Sequence, residues 1–284
     1  MLLSVWHSTV YRYATEVARS TQYIRLSPAA TPRQRVIEWK VELPVPAVTM
    51  TDAFDNLTHI LTLDAPHQEI RLIARGRVEV DETDDGEPAG RINPRVFLRD
   101  TPLTAADDAI RAFIGPLRAM VKSRPLMGVT DLMHALIERM PYEKGHTSVD
   151  TTAAQGFAAG RGVCQDHAHV FVACCRELGI PARYVSGYVY TTDRQTVASH
   201  AWAEAWLSNR WIAFDVSNAG KAGEAHLKLA VGLDYLDACP VRGVRLGGGE
   251  EELHTSARVE AQHQGQSQSQ SQSQSQTQGQ TQVQ

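Results

Sequence analysis

Cysteine is scarce in this chain of 284 residues: Cys164, Cys174, Cys175 and Cys239 are all there is. Cys174 and Cys175 are adjacent in a helical pattern, poor geometry for bridging each other. The set does not form a disulfide framework, so a reducing cytoplasm is the expected setting. An excess of one charge is also missing. Lys and Arg number 28 against 32 Asp and Glu, a net of −4, which gives no pull toward nucleic acid or an anionic membrane. No uninterrupted apolar run reaches the roughly 20 residues a membrane span needs. Residues 1–18, MLLSVWHSTVYRYATEVA, have no basic start, no continuous apolar stretch and no small-residue cleavage site, so no secretory signal is expected. Calcium-loop spacing is absent as well, and the acidic stretch Asp81 to Glu87 is more simply a solvated loop. What remains is an ordinary globular balance, 43% hydrophobic and 21% charged, long enough to bury a sizeable core.

The pattern along the chain is α+β. Residues 5–13, 36–43, 57–63 and 69–80 carry β-branched and aromatic residues in partial alternation, with a turn at Asp55-Asn56, so the first third is β-rich and sandwich-like. Thr104 is a cap for a helix through Ile110, Phe113 and Leu117, interrupted at Gly115-Pro116. Thr130-Asp131 opens a second helix stopped by Pro141, and 146–160 reads as loop. Residues 163–178 form a helix apolar nearly all round its middle and therefore buried. Gly179 ends it and Pro181 prevents its resumption. Strands follow at 182–190, 196–207 and 211–216. The expected organisation is a β-rich domain over 1–95, a core over 96–259 and a disordered Gln/Ser tail over 260–284, which cannot bury apolar surface. Because glutamines are acyl donors for some thiol enzymes, that tail is also a potential self-substrate.

Three residues carry chemistry together: Cys164, His200 and Asp215. A sulfur at the start of a helix lies beside free backbone N–H groups and the positive end of the helix dipole, and both favour thiolate. Gly160 and Gly162 leave its approach open. A two-residue loop at Ser208-Asn209 pairs Leu207 with Arg210 and Trp206 with Trp211. In that register His200 and Asp215 are diagonal neighbours on one sheet face. Asp215 can then hold one imidazole nitrogen and leave the other for sulfur. Trp202 and Glu204 share that face, and Trp202 could line an acyl-binding cleft. Ala201, Ala203 and Ala205 on the other face permit close packing. Cys174, Cys175 and Cys239 read as structural.

These residues carry a resemblance. Gly162-Val163-Cys164-Gln165-Asp166 with His169, then the run from Leu178 to Tyr188 (LGIPARYVSGY), then His200-Ala201-Trp202-Ala203-Glu204, then Asp215, resemble the bacterial transglutaminase-like superfamily. Tyr11-Arg12-Tyr13, the run Asp52 to Asn56 and Pro66-His67 resemble the β-rich domain that precedes its core. The stretches 230–235 and 240–243 continue the likeness, which stops before the Gln/Ser tail. His167 stands where a bulky apolar residue is usual in the family, and Val216-Ser217 where a Pro-Thr pair is usual. The resemblance implies a papain-like α+β core, its cysteine helix packed on an antiparallel sheet carrying His and Asp. It implies Cys164 as nucleophile, His200 as general base and then acid, and Asp215 as the residue that orients the imidazole.

The expected activity is cysteine-dependent acyl transfer on an amide bond of a peptide or protein, with water as acceptor in a peptidase or amidase. An amine acceptor would make it a transglutaminase, and loss of activity would leave a binding module of the same fold. The backbone N–H of Cys164 is one oxyanion donor and Gln155 a second suggestion. A metal centre on Cys164, Asp166, His167 and His169 fits poorly, because the two histidines point apart on a helix and no second ligand pair is present. No cofactor is expected.

Overall fold

The computed structural model describes residues 1–81, 86–190, 199–219, 226–263 and 266–278. In chain order its elements are β1 (Leu2–Ile24), β2 (Gln34–Glu42), β3 (Val48–Thr51), β4 (Leu57–Leu63), β5 (His67–Val80), α1 (Asp108–Ile114), α2 (Arg118–Ser123), α3 (Pro125–Arg139), α4 (Ala153–Ala159), α5 (Cys164–Glu177), β6 (Ala182–Val189), β7 (Ser199–Leu207), β8 (Arg210–Phe214), β9 (His226–Gly232), α6 (Tyr235–Ala238), β10 (Val241–Gly247), β11 (Glu251–His263) and β12 (Gln266–Gln278). The architecture is α+β, as expected. The chain divides into two units: 1–80 with 188–199 and 240–284, and 81–187 with 200–239. The sequence reading cuts the chain consecutively at 95 and 259; in the structure, strands from the far end return to the first unit.

The first unit is built on β1. Its first half runs antiparallel between β11 and β5, and its second half between β10 and β4. Register shifts between Arg12 and Val17 on one side and between Val17 and Arg19 on the other separate the halves, which lets one long strand serve two sheet faces. Alternation supplies the core: Leu3 and Val5 of β1 are buried with Ile70, Leu72 and Val78 of β5 and Val259 of β11. His7 is buried in the same row, its Nδ1 2.6 Å from the Tyr188 hydroxyl and its Nε2 3.1 Å from Thr9 Oγ1. Burial pushes this imidazole down to about 4, so it is neutral. The backbone of β12 pairs antiparallel with β11.

The second unit packs helices on a four-stranded sheet of order β8-β7-β6-β9. Helix α5 is its centre: every residue from Asp166 to Arg176 is buried. Its Val170, Phe171 and Cys174 share one core cluster with Ala203, Ala205 and Phe214 of the sheet and with Val129, Leu132 and Leu136 of α3. The small residues of β7 are what allow helix and sheet to approach. Gly179, in the left-handed region at φ 78°, closes the helix as the sequence indicated.

Arg176 ties these layers together. Its guanidinium donates to the carbonyls of Phe97, Ala182 and Leu233 and to the Thr104 hydroxyl, at 2.6 to 3.3 Å. On the sheet, Glu204 accepts from Arg183 at 2.6 Å and from Lys228 at 2.9 Å, and Lys228 also reaches Glu87. Burial opposes the Glu204 charge, but the two cations overcome it and hold the carboxyl at about 2.

Several boundaries differ from expectation. Asp107, not Thr104, caps α1, accepting from the Ile110 N–H; Thr104 is instead consumed by Arg176. Helix α3 begins at Pro125 rather than near Thr130, because proline fits the first helical position. The expected loop 146–160 contains α4, capped reciprocally by Thr152 and Gln155. Parts of the readings for 81–90, 196–207 and the tail fall on 82–85, 196–198, 264–265 and 279–284, outside the described residues.

Candidate active site

Cys164 is the first residue of α5 and the only partly exposed cysteine of the four. The turn before it is fixed by Asp166, whose Oδ2 accepts from the Val163 N–H at 2.8 Å and from the Thr147 hydroxyl at 2.7 Å. Residue 162 must be glycine: a Cβ there would lie 2.6 Å from Asp166 Oδ2. The Gly162 carbonyl accepts from the Glu143 N–H at 2.9 Å, so the segment carrying Tyr142 runs beside the turn into Cys164.

Strands β7 and β8 bring the other two groups. The ladder pairs Leu207 with Arg210, Trp206 with Trp211 and Ala203 with Phe214, the register expected from the sequence. Ser208 and Asn209 both have positive φ, 50° and 61°, the requirement of a type I′ turn. His200 Nε2 then lies 2.7 Å from Asp215 Oδ2, both groups buried. The Cys164 thiol is within hydrogen-bonding reach of the same imidazole. The structure thus brings Cys164, His200 and Asp215 together, with Nδ1 of His200 the nitrogen left for sulfur.

Electrostatics follow the geometry. Burial disfavours a charged His200, but the charge and hydrogen bond of Asp215, joined by those of Cys164, outweigh it and push the imidazole up to about 10. Asp215 is held well below the usual carboxylate range: burial opposes its charge, and His200 and His226 more than compensate. Among the described residues, five donors converge on Asp215. Oδ1 accepts from Ser217 Oγ at 2.8 Å and the Asn218 N–H at 3.2 Å; Oδ2 accepts from His200, from Asn218 Nδ2 at 2.6 Å and from His226 Nε2 at 2.8 Å. Ser217, unusual beside the family pattern, is therefore one of the groups that hold the carboxylate.

Sequence reasoning missed His226, Asn218 and Tyr142. No motif marks them; Asn218 is visible only once the β7–β8 register is drawn on past Asp215. Tyr142 is 43% exposed, and its ring stands 6.2 Å from that of His167. Burial and the nearby Cys164, Asp166 and Asp215 raise its hydroxyl pKa. Two suggestions need correction. Trp202 does not line an open cleft: it is 3% exposed, stacked on His200 with ring centroids 6.2 Å apart. Gln155 is used in the α4 cap, its Oε1 accepting from the Thr152 N–H at 2.9 Å.

The residues weighed as a metal set take separate partners. His167 Nε2 faces the Met140 carbonyl at 2.6 Å, His169 Nε2 accepts from the Tyr235 N–H at 3.0 Å, and Asp166 serves the helix start. Burial lowers both histidines, His169 to about 4. Among the described residues, the donor atoms of His200, Asp215 and His226 lie within 4.8 Å of one another. Two imidazole N–H groups donating to one carboxylate oxygen account for that convergence.

The comparisons agree with this architecture. Residues 118–216 match the model of the transglutaminase-like superfamily, and residues 3–79 that of the bacterial transglutaminase-like N-terminal region. An uncharacterized protein of Mycobacterium leprae is 30% identical over 273 residues, covering 88% of this chain and 95% of that protein. A Mycobacterium tuberculosis relative, also uncharacterized, is 29% identical over 272 residues, covering 84% and 86%. The crystal structure of a candidate cysteine protease from Cytophaga hutchinsonii superposes with a TM-score of 0.73 at 18% identity, covering 96% of this chain and 90% of that one. With the cysteine helix, its sheet and the preceding β-rich region all accounted for, the chain belongs to the bacterial transglutaminase-like superfamily.

Proposed function

We propose that the chain is a cysteine-dependent acyl-transfer enzyme that hydrolyses amide bonds, a peptidase or amidase. The observation that carries this reading is His200, which bonds Asp215 through Nε2 and lies beside the Cys164 thiol. A raised His200 keeps its proton beside sulfur, ready for transfer to a leaving group. The thiolate attacks the amide carbonyl carbon, and the carbonyl electrons move to oxygen. The Cys164 N–H, at the first helical position where no intrahelical acceptor exists, is a donor for that oxyanion. Collapse breaks the C–N bond; His200 gives its proton to the leaving amine, and a thioester remains. Neutral His200 then takes a proton from water, whose oxygen attacks the thioester, releasing a carboxylic acid and restoring the thiolate. Asp215 orients the imidazole throughout.

Water as acceptor is supported by the likeness to the Cytophaga hutchinsonii structure, described as a candidate cysteine protease. The test is incubation with a peptide library, with and without a primary amine, read by mass spectrometry. Cleaved or deamidated products that vanish in Cys164→Ala are expected. Amine adducts would make the enzyme a transferase. No Cys164-dependent product would leave a binding module and overturn the reading.

A further inference from the structure

We infer that His226 is a positioning residue of this site: its imidazole shares the Asp215 carboxylate with His200 and sets how much of that negative charge His200 receives. The inference rests on the reading of Cys164, His200 and Asp215 as a catalytic trio.

The geometry is direct. His200 Nε2 and His226 Nε2 stand 2.7 and 2.8 Å from the same atom, Asp215 Oδ2. An ionised carboxylate can only accept, so both nitrogens carry protons toward it. The two rings lie 5.7 Å apart, centroid to centroid. The Trp202 indole fixes them together, stacked on His200 and edge-on to His226 at 5.1 Å. Asn218 Nδ2 is a third donor to Oδ2, one more than a carboxylate oxygen has lone pairs to offer. The donors therefore compete, and each weakens the hold of the others. Removing the His226 donor concentrates carboxylate charge on His200, which makes the imidazole more basic and a poorer acid toward the leaving amine. Among the described residues, the other ionisable groups facing this pair are Cys164 and His167 from α5 and Tyr142 from the adjoining segment. None of these three donates to Oδ2 in the structure's hydrogen bonds.

The test is the NMR titration of His200 in Cys164→Ala protein, which removes the thiol, compared with the same protein carrying H226F, H226M or H226Q. Folding of each is checked by circular dichroism. Glutamine keeps an N–H donor and the other two remove it. The expected result is an upward shift of the His200 midpoint of about half a unit or more in H226F and H226M, largely reversed in H226Q. In the presence of Cys164, the acid limb of the alkylation rate against pH should move to lower pH in H226F and return in H226Q. An unchanged His200 midpoint in a folded donor-free variant, with only thermal stability lost, would reduce His226 to a structural role and overturn the inference. If Cys164 of the unaltered protein shows no selective alkylation, the catalytic reading fails, while the His200 titration still decides whether the carboxylate is shared.

Discussion

The Asp166 carboxylate accepts the Val163 N–H at 2.8 Å, so the residue before Cys164 is tied to the helix that Cys164 begins. Asp166→Ala removes this bond and the one from Thr147, and the cost expected from helix-cap deletions is about 1–2 kcal/mol in denaturant unfolding. Gly162→Ala should damage the same contact from the other side, since its Cβ would meet Asp166 Oδ2. The two losses should add incompletely in the double variant, because they break one interaction.

The four thiols should separate cleanly by reactivity. Burial pushes Cys174 and Cys175 up strongly, and Cys239 is buried, whereas Cys164 is partly exposed beside an imidazole. Iodoacetamide near neutral pH should modify one equivalent, mapped by mass spectrometry to Cys164. Equal labelling of several cysteines in folded protein would contradict the site.

Asp215→Asn keeps the size of the side chain but loses the charge that two imidazoles share. Turnover should fall by roughly 10³- to 10⁴-fold, the scale seen when an orienting carboxylate is neutralised in a triad. The Michaelis constant should change far less, because Asp215 is 1% exposed and has no surface to offer a substrate.

Stability should peak in mildly acidic solution. His200 is raised to about 10, so its contribution is complete below the unfolded value of about 6.5 and is lost as pH rises through 10. Asp215 is depressed, so its contribution is complete above about 4 and is lost as pH falls through its folded value. Urea midpoints should therefore be highest at about pH 6.5, declining on the alkaline side as His200 loses its proton and on the acid side because the unfolded chain protonates His7 and His169, both held at about 4 in the fold. His200→Gln should flatten the alkaline decline.

Arg176 makes bonds that a lysine cannot reproduce, because the planar fork serves three carbonyls and a hydroxyl at once. Arg176→Lys should destabilise by about 2–4 kcal/mol, the cost of several buried acceptors left without a donor. Thermal melting of the variant would show it, and a change under about 0.5 kcal/mol would refute the role assigned here.

The features legible in the sequence were those set by short-range patterns. The apolar run after Cys164, the Gly179 stop and the parity of the β7–β8 hairpin are all local, and they place Cys164, His200 and Asp215. The misses have long-range causes. Thr104 resembled a cap, but the Arg176 guanidinium, 72 residues further on, claims its hydroxyl. His226 is an isolated histidine with no motif, and only the β6–β9 pairing carries it to Asp215. Helix α4 was hidden because Ala, Gly and Gln in a short segment look like loop until Phe157 is seen to pack in the core.

The tight bend at Ser208 and Asn209 makes the spacing there unforgiving. One added residue would turn the downstream ribbon over, sending the carboxylate to the helix side and leaving the imidazole without its counter-charge, though every chemical group remained in the chain. Length changes in this region can be accommodated only in pairs, so this loop counts residues as strictly as the site chooses them.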